Sequence, residues 1–127
     1  MVASRSSMPQ SLTIILRLPD AALSPNARCH WRKKAEWTKA YRSLAYYTTR
    51  SVQNKPTNWP RATVEIRWFH KTMRFPDRDN SLASLKSAFD GLTDAGVWVD
   101  DSGVVFQPIV FEKDATNPRV ELTITPA

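Results

Sequence analysis

Apolar and polar residues alternate from Leu12 to Leu18, and Pro19 closes the run, which predicts a β-strand. The proline and asparagine in Leu23-Ser24-Pro25-Asn26-Ala27-Arg28 predict a loop. From Trp31 to about Gln53 the period changes to that of a helix: Trp37, Tyr41, Leu44, Thr48 and Val52 share one stripe, with Lys39, Arg42, Tyr46 and Arg50 opposite. Asn54 to Pro60 reads as a connector. Ala62 to His70 alternates again, placing Val64, Ile66 and Trp68 on one face and Thr63, Glu65 and Arg67 on the other. A second helix is expected from after Asn80 to about Ala95, ended by Gly96. Val104 to Phe111 and Val120 to Thr125 complete the strands, joined by a polar turn at Asp114 to Pro118. The order β-α-β-α-β-β predicts an α+β fold, one mixed sheet covered by two helices.

Composition sharpens this picture. The chain has 127 residues, 42% of them hydrophobic and five of them tryptophan, enough for one real core. Met1 to Gln10 is polar, carries Arg5 and does not resemble a secretory signal; it reads as a flexible N-terminal segment before a single domain spanning 11–127. Cys29 is the sole cysteine, so an intramolecular disulfide and a zinc-thiolate site are both excluded. No apolar run has transmembrane length, and a cytoplasmic setting is the expectation.

Charge is segregated. The formal net charge is +6, but residues 1–71 carry 13 Lys/Arg against 3 Asp/Glu, and residues 72–127 carry 5 against 9. A basic half beside an acidic, metal-capable half suits a polyanionic substrate cut at a phosphate. The basic loop Arg28-Cys29-His30-Trp31-Arg32-Lys33-Lys34 precedes the first helix. Either it grips phosphates and stacks Trp31 on an exposed base, or it is a solvated helix start with Trp31 covering the core. His30 and His70 are lone histidines and are not assigned as ligands or bases.

The acidic half carries the chemistry. Asp77-Arg78-Asp79-Asn80, Lys86, Phe89-Asp90-Gly91-Leu92 and Ala95-Gly96 leading to Asp100-Asp101 hold five aspartates and one lysine. Neighbouring carboxylates repel and raise one another's pKa, so such a cluster calls for a cation or a protonation role, unless it is merely solvated. These motifs resemble the signature of the RusA family of Holliday-junction resolvases. Leu23-Ser24-Pro25-Asn26 to His30-Trp31 and Glu121-Leu122-Thr123-Ile124 resemble that family's opening and final strand. The resemblance implies a small, dimeric, magnesium-dependent endodeoxyribonuclease, often encoded by phages, acting on branched DNA. It further implies that Asp77, Asp79 and Asp101 are catalytic metal ligands for Mg²⁺, with Mn²⁺ as a substitute, and that Lys86 is their essential cationic partner. The run Ser81-Leu82-Ala83-Ser84 makes the spacing from Asn80 to Phe89 three residues longer than that pattern.

Geometry ranks the carboxylates. On a helix Asp79, Lys86 and Asp90 lie within about 20° of one line, while Leu82, Leu85, Phe89 and Leu92 form a separate stripe. Asp79 and Asp90 would nevertheless be roughly 16 Å apart on a continuous helix, so Asp90 is supporting. The return from Gly96 spans at most roughly 17 Å, enough to bring Asp101 to the level of Lys86 but not to a distant Asp79. The helix is therefore expected to begin only at Ser81 to Ser84, with the preceding DxD folding in from the strand. Asp100 and Asp101 point to opposite sides of an extended chain, which makes Asp100 supporting as well. The competing class is a non-catalytic DNA-binding regulatory or architectural protein using only the basic half; flap DNA or RNA as substrate also remains open.

Overall fold

Three rows of apolar side chains organise the sheet. A computed structural model describes residues 11–127; the N-terminal segment 1–10 lies outside the described residues. The strands are β1 (Leu12–Leu16), β2 (Ala62–His70), β3 (Val104–Phe106), β4 (Val110–Lys113) and β5 (Arg119–Pro126). β5 is antiparallel to both β1 and β2, so Leu12, Ile124 and Val64 share one row, Ile14, Leu122 and Ile66 the next, and Leu16, Val120 and Trp68 the third. All nine are buried, as strict alternation on a half-covered sheet requires.

The last part of the sheet departs from expectation. Val104 to Phe111 is two strands, β3 and β4, each pairing parallel with β2 at opposite ends of it. Pro108 falls between them, and a proline has no N–H to give a ladder. Ile109 turns inward there and is buried. The fold is α+β with a five-stranded mixed sheet.

The first helix, α1 (Trp31–Val52), packs against β1 and against the later helix Lys86–Asp94. Its buried residues are Tyr41, Ala45 and Thr49, a line rotated by roughly 60° from the stripe expected at 100° per residue. Val52 is exposed and Trp37 only partly buried. Small side chains decide this: Ala45 admits close approach of a neighbour, and Thr49 satisfies its hydroxyl by donating to the Ala45 carbonyl at 2.7 Å. Tyr41 donates to the Arg17 carbonyl at 2.8 Å, tying α1 to the end of β1, and burial pushes its phenol well above the ordinary range.

The second helix is broken in two, α2 (Arg78–Ser84) and α3 (Lys86–Asp94), interrupted at Leu85. It begins earlier than expected because Asp77 is its N-cap, its carboxylate accepting the Asn80 N–H at 3.0 Å. The end is as expected. Gly96 adopts φ +75°, its N–H donates to Thr93, and the Val97 N–H reaches back to Leu92, a Schellman closure with Val97 and Leu92 both buried.

α1 and α3 touch at Gly91. A Cβ there would lie 2.3 Å from the Arg42 carbonyl oxygen and 2.9 Å from the Ala45 Cβ. Beside that contact Arg42 grips Asp94 through Nε at 2.6 Å and an Nη at 2.8 Å. The two hydrogen bonds hold the Asp94 carboxyl below the ordinary carboxylate range. A depressed folded value means the tie adds stability above about pH 4 and loses it as pH falls through that value. The melting-temperature gap between the native chain and Arg42→Ala should therefore be present at pH 7 and close near pH 2. A gap that persists in acid would assign the effect to the arginine stem.

Candidate functional site

Asp101 reaches its position through a chain of backbone pairings. The Asn58 and Trp59 N–H groups donate to the Gly96 and Val97 carbonyls, and the Val99 N–H donates back to Trp59. Trp98 is buried beside them and donates from its indole to Thr93 Oγ1 at 2.7 Å. Asp101 then opens a 3-10 turn, Asp101–Gly103. Gly103 lets that turn close on the chain: a Cβ would sit 2.4 Å from the Pro60 carbonyl oxygen.

The turn sets Asp101 against the broken helix. Asp79, Lys86, Asp90 and Asp101 line one cavity of about 440 Å³, together with Leu82, Ala83, Phe89 and Phe106. Phe89 and Phe106 meet at 4.5 Å between ring centroids and form its apolar wall. Apolar walls lower the local dielectric and strengthen any charge interaction inside.

Asp79 lies within regular helix, contrary to the expectation that the DxD precedes it. It shares a cavity with Asp101 all the same, because the interruption at Leu85 removes the straight helix from which the separation was reckoned. The lengthened spacing before Phe89 falls on α2 and this interruption.

Asp77 and Asp100 are turned to local duties. Asp77 caps α2 through Oδ2 and does not line the cavity. Asp100 accepts the Ser102 hydroxyl at 2.9 Å, chiefly for which its carboxyl is held below the ordinary range. Among the described residues no three His, Cys, Asp or Glu side chains stand together as a ready-made metal cluster. The donor set nevertheless suits Mg²⁺, which takes one or two protein carboxylates and fills its remaining positions with water and phosphate oxygens. Asp79 and Asp101 offer two such carboxylates at one cavity.

Lys86 stands at the mouth with its side chain 75% exposed, its ammonium 3.9 Å from Asp90 Oδ1. So long and exposed a pairing restrains it little.

The basic loop lies on the surface. Trp31 is 67% exposed rather than covering the core. It stacks on His30 at 5.6 Å, and the Arg32 guanidinium lies 5.3 Å from its ring centroid. His30 is the N-cap of α1, its Nδ1 accepting the Arg32 N–H at 3.2 Å. His70 accepts from the Trp68 indole at 3.1 Å. Arg28, Arg32 and Lys33 are exposed, and Lys34 is half-buried toward the second helix.

Two structural residues escaped the sequence reading. Gly91 carried a signal, since a glycine inside a helical run costs about 1 kcal/mol against alanine and so points to close packing. Asp94 carried none, because its partner Arg42 is 52 residues away.

The family described as Endodeoxyribonuclease RusA matches residues 22–125. A protein of Xylella fastidiosa (strain Temecula1), described only as uncharacterized, is 34% identical over 119 residues, covering 91% of this chain and 76% of that one. The solved periplasmic domain of Helicobacter pylori MotB is 19% identical with a TM-score of 0.36, covering 95% of this chain and 88% of that one, a likeness too slight to inform the reading. No helix among the described residues is long and apolar enough to cross a membrane.

Proposed function

This chain belongs to the RusA family of endodeoxyribonucleases, and from that premise we propose that it is a Mg²⁺-dependent nuclease that resolves Holliday junctions and related branched DNA. The observation that carries the reading is the meeting of Asp79, Asp101 and Lys86 at one apolar-walled cavity. Asp79 and Asp101 would hold the ion, and Asp77, two residues from Asp79, would be a third carboxylate for it. Mn²⁺ suits the same oxygens. Bound there, the ion supplies an acidified water and neutralises charge on the attacked phosphate.

The protein's own groups do the rest. Lys86 places a cation beside the scissile phosphate, where developing charge is stabilised without reorganisation. Phe89 and Phe106 form the apolar wall beside these groups. Asp90 pairs weakly with Lys86, and Asp100 fixes the turn that presents Asp101.

Arg28, His30, Trp31, Arg32, Lys33 and Lys34 form the DNA-docking surface. Trp31 offers its face to an unstacked base at the branch point, a contact worth about 1–3 kcal/mol. Trp31→Ala should weaken junction binding in EDTA by about tenfold, measured by anisotropy, with little change in melting temperature. Equal weakening on linear duplex would remove the base-stacking role. Two symmetric cuts require two sites, so a two-fold homodimer is the proposed assembly.

The decisive experiment incubates the protein with a synthetic four-way junction, linear duplex and single strand, in Mg²⁺ or EDTA. Junction-selective nicking that needs the metal supports the reading. Tight junction binding without cutting in Mg²⁺ or Mn²⁺ would instead identify a DNA-binding regulatory or architectural protein.

A further inference from the structure

A second groove lies on the other side of Lys86. It runs between α1 and the start of α3, bordered by Lys34 and Thr38 on one side and by Lys86, Ser87 and Asp90 on the other. It shares Ala83, Lys86 and Asp90 with the acidic cavity, so the two are neighbours across the lysine.

Three observations give this groove the character of an anion site. α3, nine residues long, starts without a side-chain cap, its N-cap position being Leu85. Ser87, in the first turn, is 6% exposed, and its hydroxyl has no hydrogen-bond partner. Burying a hydroxyl unpaired is costly, and the native chain keeps one where an alanine would fit. Ser87 lines the groove, and a turn about its one side-chain bond would bring the enclosed hydroxyl to a ligand seated there. Lys34 and Lys86 supply positive charge on opposite walls. Thr38 is committed to the Lys34 carbonyl at 2.8 Å and serves as wall rather than donor.

We propose that this groove seats a non-scissile DNA phosphate next to the one being cut, held by the Ser87 hydroxyl, the start of α3, and the Lys34 and Lys86 ammoniums. The inference rests on the nuclease reading for its substrate. Lys86 then lies between two phosphates and fixes the register of the strand over Asp79 and Asp101. Asp90 competes with the incoming phosphate for Lys86, and their weak pairing is one that DNA displaces.

Binding of a four-way junction in EDTA tests the groove without requiring any cutting. Ser87→Ala should weaken it by about tenfold while the melting temperature holds or rises, since a lost orphan hydroxyl costs the fold nothing. Asp90→Asn should tighten it, and Lys34→Gln should lower the salt slope by about one. In Mg²⁺, a neutral methylphosphonate placed at each phosphate flanking the cut should slow the native protein at one position. The same substitution should add little to Ser87→Ala/Lys34→Gln, because the partner is already gone. Unchanged binding by Ser87→Ala, or equal slowing of native and double variant at every position, overturns the groove. Junction binding that depends on Ser87 and Lys34 without any cutting upholds the groove and overturns the nuclease reading instead.

Discussion

Asp79→Asn and Asp101→Asn should each lower the rate of junction cleavage on the order of 10³-fold, about 4 kcal/mol of lost transition-state stabilisation. Each replacement keeps the shape of the side chain and removes the charge that holds a divalent cation. Folding should be nearly untouched. Asp79 in the first turn of α2 gains at most about 1 kcal/mol from the helix dipole, and Asp101 is exposed in a turn fixed by Asp100 and Gly103. Junction binding in EDTA should hold or tighten, because a negative charge leaves a surface that receives phosphates. Asp77→Asn separates capping from ligation: asparagine caps a helix as well as aspartate does, so a loss of cleavage with an intact fold assigns Asp77 to the metal. Retained cleavage confines it to its cap. Single-turnover cleavage over a Mg²⁺ titration measures all three, and full activity of Asp79→Asn and Asp101→Asn would remove this cavity as the active site.

Gly91→Ala should be the most damaging single change to the fold. In an open helix the substitution would help by about 1 kcal/mol. Here the new methyl group would stand 2.3 Å from a backbone oxygen of α1, which no side-chain rotation relieves. Parting the helices would also loosen the packing of Tyr41 and Ala45 and stretch the Arg42 to Asp94 tie. Overpacking of this kind costs about 1–3 kcal/mol or more, for a melting temperature lower by roughly 5–15 °C in a domain of this size. Calorimetry provides the measurement, and a raised melting temperature would show that the two helices are not pressed together at this point.

Much of the fold was written in local pattern. β2 runs from Ala62 to His70 as its alternation predicts, and Gly96 ends the helix because its backbone conformation suits glycine. The acidic motifs likewise marked the family, since Asp77-Arg78-Asp79-Asn80, Lys86 and Asp100-Asp101 recur in the order that the RusA pattern has them. Other features were carried by weaker signals. The aspartate after Pro76 marks an N-cap and starts the helix at Arg78, earlier than a meeting of Asp79 with Asp101 on a straight helix would allow. The buried line on α1 departs from its stripe of large apolar residues because it is the smallness of Ala45 and Gly91 that allows two helices to meet.

The sequence by itself determined the strand faces, the end of the second helix, the separation of basic from acidic halves and the residue types of the site. Each of these follows from neighbours within a few positions. Only the tertiary structure decided that Asp79 and Asp101 share a cavity while Asp77 caps α2 and Asp100 accepts from Ser102. It alone brought Lys34 and Ser87 to opposite walls of one groove. The interruption at Leu85, the close contact at Gly91 and the pairing of Trp59 with Trp98 set those distances. All three depend on how separate segments pack, and no local pattern carries that information.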